Sequence, residues 1–217
     1  MKLRLYHYWR SSCSWRVRWA LLIKGVPCEF ESIDLLSDET DQPPQRARNP
    51  IGYVPVLELL NSQDPFRFIA ESIAIIEWLE ETIPTPSLLP GTPLQRARIR
   101  QLAEIINSGT QPLQNLNVMA RYSIDPTEQR KWNQHWIHQG LHAYEVLVTK
   151  TSGLYSIGDT LTLADLCLIP QCYNAIRYEL GLSDFPVIEK IYSTALKTPS
   201  CQGSAPESFK TSKPDKS

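Results

Sequence analysis

This chain of 217 residues lacks the usual marks of a metal protein or a disulfide scaffold. Its five cysteines, Cys13, Cys28, Cys167, Cys172 and Cys201, are odd in number and nowhere form C-x-x-C. No Cys/His set has the spacing of a zinc site. Of the four histidines, His135, His138 and His142 recur at helical spacing, but neither a cysteine nor a carboxylate stands beside them to complete a site. A polar helix face is the plainer reading, and no metal is expected. Nor is there a run approaching about 18 apolar residues, so no membrane-spanning helix is expected. The opening MKLRLYHYWR lacks the apolar centre of a signal peptide and reads as a first strand. Repeats and low-complexity tracts are missing too. Strong charge of either sign is also absent: the formal net charge is −1, which argues against nucleic acid as a partner. Free thiols and the missing leader make the cytoplasm the expected compartment.

What remains is ordinary globular composition, 42% hydrophobic and 21% charged. That length buries a sizeable core without disulfides or metal. Strand and helix patterns alternate up to residue 82. Leu3 to Tyr8 reads as a strand. Cys13 to Lys24 reads as a helix, with Val17, Ala20, Leu21 and Ile23 at helical spacing and Gly25 as its stop. Cys28 to Leu35 reads as a second strand, and Ser37 to Arg48 as a loop with at most a short helix. Val56 to Leu60 and Phe66 to Ile69 pair as a hairpin across Asn61–Pro65. Glu71 to Glu81 reads as a helix with Ile73, Ile76 and Leu79 on one face. The order β-α-β then β-β-α predicts an α/β, thioredoxin-like N-terminal domain with a mixed sheet, residues 1–82. Four prolines between Ile83 and Pro93 mark a stiff linker. Residues 94–217 then form an expected all-α domain. Its helices run over Leu94–Arg121 (interrupted near Gly109 and Pro112), Thr127–Thr149, Leu163–Tyr178 and Phe185–Leu196. A polar, poorly ordered tail is expected from about 199.

Three segments carry chemistry. Arg10-Ser11-Ser12-Cys13-Ser14-Trp15-Arg16 lies where the first strand gives way to the first helix. A helix start exposes N–H groups and the positive end of the dipole, suited to an anion such as a thiolate; equally, these serines serve as caps. Asn49-Pro50-Ile51-Gly52-Tyr53-Val54-Pro55 contains an X-Pro bond of the kind that adopts the cis form, which exposes the Val54 backbone to an extended ligand; alone, it reads as an edge-strand proline. Glu71-Ser72 opens another helix, where Ser72 suits a carboxylate and Glu71 an amine, or the pair is a simple cap. Thr162-Leu-Ala-Asp165 has the form of a capping box, so Asp165 is expected to be structural.

Taken in order, these segments resemble the zeta-class glutathione transferases, the class that includes maleylacetoacetate isomerase. The resemblance rests on Ser11-Ser12-Cys13 with Trp15-Arg16-Val17-Arg18, Asn49-Pro50, Val54-Pro55 and Ser72-Ile73-Ala74-Ile75-Ile76-Glu77. It continues through Leu88-Leu89-Pro90, Gln111-Pro112-Leu113-Gln114-Asn115-Leu116, Gly158-Asp159, Ala164-Asp165-Leu166-Cys167 and Pro170-Gln171. It implies glutathione as cofactor and a two-domain transferase fold. Ser11 activates the cofactor sulfur, with Ser12 and Cys13 lining the same spot. Val54 pairs with the cysteinyl backbone, and Glu71 and Ser72 hold the γ-glutamyl end. Gln111, Asn115 and Asn117 meet the cofactor from the helical domain. Arg177 and Arg10 hold the substrate's carboxylates by bidentate hydrogen bonds. The family often has glutamine where Glu71 stands, and either Gln42 or Gln45 meets the glycyl end. Cys13, further into the helix than Ser11, reads as a modulator open to oxidation or alkylation.

The implied reaction is cis–trans isomerisation of a maleyl keto acid, a small dicarboxylate, by addition and loss of the cofactor thiolate. Maleylpyruvate isomerisation and conjugation or dehalogenation of α-halo acids remain alternatives. A non-catalytic interaction module is a third, disfavoured by the retained Ser11, Ser12 and Cys13. A homodimer is implied.

Overall fold

The computed structural model describes residues 1–210. They form two compact units, residues 1–86 with 199–210, and residues 87–198.

In the first unit, β1 (Leu3–His7), β2 (Glu29–Ser32), β3 (Val56–Leu59) and β4 (Phe68–Ala70) form one sheet in the order β2-β1-β3-β4. β2 runs parallel to β1, and the other neighbours are antiparallel, giving the expected mixed sheet. Leu5 pairs with Phe30 on one side and Leu57 on the other, which puts two of the most buried side chains at the sheet's centre. β2 is exposed along its length and shorter than the alternation of Cys28–Leu35 suggests. Glu29 and Glu31 keep that edge charged, and both pair with Arg4 of β1. The loop 37–48 contains a 3-10 turn, Asp38–Asp41, and α2 (Pro43–Arg48). Pro43 and Pro44 occupy its first turn, where a missing N–H costs nothing.

α1 (Ser12–Ile23) is buried on nearly every side, and α3 (Ser72–Thr82) packs beside it. The apolar stripe of Val17, Ala20 and Leu21 accounts for only one face. Trp15, Arg16, Arg18 and Trp19 are buried as well, which requires a cover on the opposite side. That cover corrects the expectation of a poorly ordered tail from 199. Pro199–Ser204 is a helix, α9, followed by a 3-10 turn at Pro206–Phe209, and α9 packs on α1. The Trp15 indole donates to Ser204 Oγ at 3.0 Å, the Trp19 indole to Ser200 Oγ at 3.0 Å, and Arg18 Nε to the Ser204 carbonyl at 2.9 Å. Each of these buried donors finds an acceptor in the segment, and that need draws a polar stretch onto the helix. Residues 211–217 of the expected tail lie outside the described residues. Lys24, which ends α1, is fully buried and donates to Glu80, to the Ile83 carbonyl at 2.6 Å and to the Pro86 carbonyl at 3.0 Å. It fastens the start of the proline-rich stretch to the end of α3.

The second unit comprises α4 (Pro93–Asn107), a 3-10 turn at Gln111–Gln114, α5 (Leu116–Tyr122), α6 (Pro126–Val148), α7 (Leu163–Arg177) and α8 (Pro186–Ala195). The long segment from Leu94 breaks at Gly109 and Pro112, as its sequence suggests. α7 is central: every residue from Leu163 to Ala175 except Tyr173 is buried. Asp165 anchors its start. One carboxylate oxygen accepts from the Ser156 amide at 2.8 Å; the other accepts from the Thr162 amide at 2.8 Å and its hydroxyl at 3.0 Å. Burial pushes this carboxyl up while those hydrogen bonds oppose the shift.

Candidate active site

In the first unit the chemistry gathers where α1 begins. Ser11 is the N-cap, in extended conformation, and its Oγ accepts the Ser14 amide at 3.2 Å. A hydroxyl that accepts at a cap keeps its own proton to donate elsewhere, so the cap and anion readings are compatible. Ser12 is buried, while Cys13 and Ser11 are half-buried. The turn that carries them is organised by Arg18. Its guanidinium donates to the Tyr8 carbonyl at 3.3 Å and to the Trp9 carbonyl at 2.9 Å, and it faces His7 Nδ1 at 3.2 Å. It also stacks on the Phe209 ring at 4.6 Å. Burial lowers the Arg18 pKa to about 9. Burial, reinforced by the Arg18 charge, lowers that of His7 to about 3, so His7 is neutral and accepts through Nδ1. Arg10 lies beside Trp9, its guanidinium 5.3 Å from the ring centre.

Val54 packs with Tyr8 and Trp9 in the same apolar cluster, and the Tyr8 carbonyl accepts the Ser11 amide at 3.1 Å, so one short turn links the two sites. The Val54–Pro55 bond is cis. Val54 lies ahead of the β3 register, whose first pairs join Val56 to Tyr6 and Ala70. Ser72 is joined to α1 by a contact the sequence does not announce: Arg16, buried completely, donates from Nη1 to Ser72 Oγ at 3.2 Å. Glu71 precedes it, exposed, with φ of 69°. A non-glycine residue there is strained, a condition that concentrates at ligand sites.

In the second unit, Gln111 donates to Asn115 Oδ1 at 2.9 Å, while Asn117 is exposed on α5. Arg177, exposed at the end of α7, donates to Asn174 Oδ1 at 2.9 Å. Behind Asn174 lie two amides that sequence reasoning assigned no role. Asn174 donates to Gln114 Oε1 at 3.4 Å, and Gln114 and Gln171 exchange hydrogen bonds of 3.0 and 3.2 Å. Gln114 also donates to the Thr110 carbonyl at 3.1 Å. The result is a buried amide relay from the core of α7 to the Arg177 guanidinium. Its signal in the sequence is the pair of motifs Gln111–Leu116 and Pro170-Gln171, whose polar members fall within apolar surroundings.

Comparison with known proteins places this geometry. Residues 5–87 match the family described as "Glutathione S-transferase, N-terminal domain". The chain is 42% identical over 189 residues to a maleylacetoacetate isomerase of Mus musculus, covering 86% of this chain and 84% of the relative. The chain belongs to the zeta-class glutathione transferases. Its fold superimposes with a TM-score of 0.89 on the holo structure of a bacterial zeta-class maleyl pyruvate isomerase, at 35% identity and covering 98% and 99% of the two chains. A maleylacetoacetate isomerase from Anaeromyxobacter dehalogenans 2CP-1, solved with dicarboxyethyl glutathione and citrate in the active site, gives a TM-score of 0.85, 40% identity and 98% coverage of both chains.

Away from this transferase site, burial raises the thiols of Cys201, in the core, and of the half-buried Cys28 to about 12, and that of the core residue Cys172 further, which disfavours their reactive thiolate forms. His135, His138 and His142 lie exposed on α6, with the last two rings nearly parallel at 6.4 Å. Among the described residues, no group of three or more His, Cys, Asp or Glu side chains is placed to hold a metal.

Proposed function

We propose that this chain is a glutathione-dependent cis–trans isomerase of maleyl keto acids, with maleylacetoacetate the first candidate substrate. The observation that carries the reading is identity of about 40% to isomerases so named, spread across nearly the whole chain. The residues fit the cofactor. Ser72, with the buried Arg16 guanidinium behind its oxygen, suits the α-carboxylate of a γ-glutamyl group. A hydroxyl that accepts from a cation is the better donor on its other side. The exposed Glu71 carboxylate suits the neighbouring ammonium, and Val54 offers its backbone to the cysteinyl segment.

Bound glutathione supplies a thiolate that adds to the cis double bond and leaves again, so it is conserved over the cycle. The chain's residues set up that chemistry. Ser11 donates its hydroxyl proton to the sulfur and, with the start of α1, favours the anion. Ser12 and Cys13 line the same turn. Gln111, Asn115 and Asn117 keep the cofactor-binding role that the family resemblance implies. Arg177, aimed by its amide relay, and Arg10 bind the substrate's carboxylates and offset charge that develops on its keto oxygen. We read the enzyme further as a cytoplasmic homodimer; among the described residues, no helix is long and apolar enough to cross a membrane. Sedimentation of the purified chain tests the dimer.

Maleylpyruvate is the second substrate to consider, since the holo structure that superimposes at 0.89 is an isomerase of that acid. The test is turnover of maleylacetone and of maleylpyruvate with catalytic glutathione and a parallel thiol count. Conversion with the thiol conserved supports the isomerase. Steady loss of thiol with α-halo acids, and no isomerisation, moves the function to conjugation or dehalogenation.

A further inference from the structure

Gln42 and Gln45, alternatives for the cofactor's glycyl end, occupy different settings. Gln42 is exposed and caps α2; Gln45 is 1% exposed. The Gln45 amide nitrogen donates to the Gly52 carbonyl at 3.3 Å and to the Tyr53 carbonyl at 3.1 Å. Asn49 Nδ2 donates to the same Tyr53 oxygen at 3.1 Å, and Asn49 Oδ1 accepts the Ile51 amide at 3.2 Å. Gly52, at φ of 83°, leaves no room for a side chain: a Cβ there would stand 2.6 Å from the Thr40 carbonyl. The loop between α2 and Val54 is therefore fixed to α2 by two amides that converge on one carbonyl.

That carbonyl belongs to the peptide unit whose other half is the Val54 N–H. The bond is trans, the cis bonds being Val54–Pro55 and Thr85–Pro86. In a planar trans peptide the N–H points opposite to the C=O. Two donors drawing Tyr53 O towards α2 thus aim the Val54 N–H away from it. The amide oxygen of Gln45 is buried without a hydrogen-bond partner, a condition that weakens a fold. The two donations from the Gln45 nitrogen, which hold the loop carbonyls, account for a glutamine at this buried position.

We propose that Gln45 is a positioning residue for glutathione: with Asn49, it aims the Val54 amide at the cofactor's cysteinyl backbone. The proposal rests on the reading of glutathione as cofactor. The test is calorimetric titration of glutathione into the full chain and into Gln45→Met, with thermal melts of both. The expected result is a folded chain, its melting temperature lowered by a few degrees at most, whose Kd for glutathione is raised about tenfold, with the KM for glutathione raised and kcat at saturation unchanged. Asn49→Ser, which removes the second donor to Tyr53 O, is expected to weaken binding in the same sense. Equal affinity in both variants, or a Gln45→Met chain that does not fold, overturns the proposal. Failure of the unaltered chain to bind glutathione defeats the cofactor reading instead.

Discussion

Ser11 combines two tasks in one oxygen. Its lone pair caps α1 and its proton is left for a sulfur anion. Ser11→Ala is therefore expected to reduce isomerase turnover about 10²-fold, the scale of losing one donor to a reacting anion. The lost cap costs only about 1 kcal/mol of stability. Rate assays beside a melt separate the two effects. His7 gives a second prediction. Its folded pKa of about 3 lies below the ordinary histidine value of 6.5, so between those values the unfolded chain binds more protons. Its contribution is present above about pH 6.5 and is lost on acidification towards pH 3, by up to about 1.4 kcal/mol per pH unit. His7→Asn keeps an acceptor for Arg18 without the titration, so its melting temperature should fall less than that of the unaltered chain between pH 7 and 4. Equal slopes would remove His7 from the acid response. At this scale the sequence offered Ser11, Ser72 and Arg177 as candidates, because helix starts and family motifs are local. It did not show Arg16 against Ser72, or Gln114 and Gln171 behind Arg177. Those partners lie 56 residues apart in the one case and 57 in the other, and only tertiary packing joins them.

Among the elements, α1 departs most from its sequence pattern. A one-sided stripe suggests a surface helix, yet the helix is covered on nearly every side. Periodicity fails here because Trp15, Arg18 and Trp19 are polar enough to look solvent-facing and buried enough to need partners. The cover was invisible for the complementary reason: Pro199–Ser204 is too short and too small in its side chains to show an apolar stripe. Its worth is measurable. Ser204→Ala leaves the Trp15 indole without its acceptor and is expected to cost about 1–3 kcal/mol. For a chain of this size that is a melting temperature lower by about 2–4 °C per kcal/mol. Ser200→Ala, whose hydrogen bond with Trp19 is only partly buried, should cost less. Equal and negligible losses would mean that packing alone seats α9. The sheet was more legible. Its strands alternate or run apolar, and the turn residues between them mark each end, although β2 stops at Ser32, its ladder closing with the Ile33 amide on the His7 carbonyl.

For the molecule as a whole, the order of elements was readable from hydrophobic pattern and proline placement, because both act locally. The grouping of residues was not, since the first unit is built from two separate stretches of chain. Ligand linkage supplies a prediction at this scale. Glutathione at about 100 times its Kd should stabilise the chain by about 2.7 kcal/mol, and the melting temperature should climb with the logarithm of its concentration. A melting temperature indifferent to glutathione would deny the cofactor a site on the folded state. The two-stretch construction also bears on synthesis. Trp15 meets its acceptor 189 residues later in the chain. On the ribosome the sheet and α1 emerge early with their indole edges bare. The nascent thioredoxin-like unit completes its packing only once residues 199–204 have left the ribosome. A chain ending before Pro199 would carry every residue of the Ser11 turn but lack the acceptors that α9 gives to Trp15, Trp19 and Arg18.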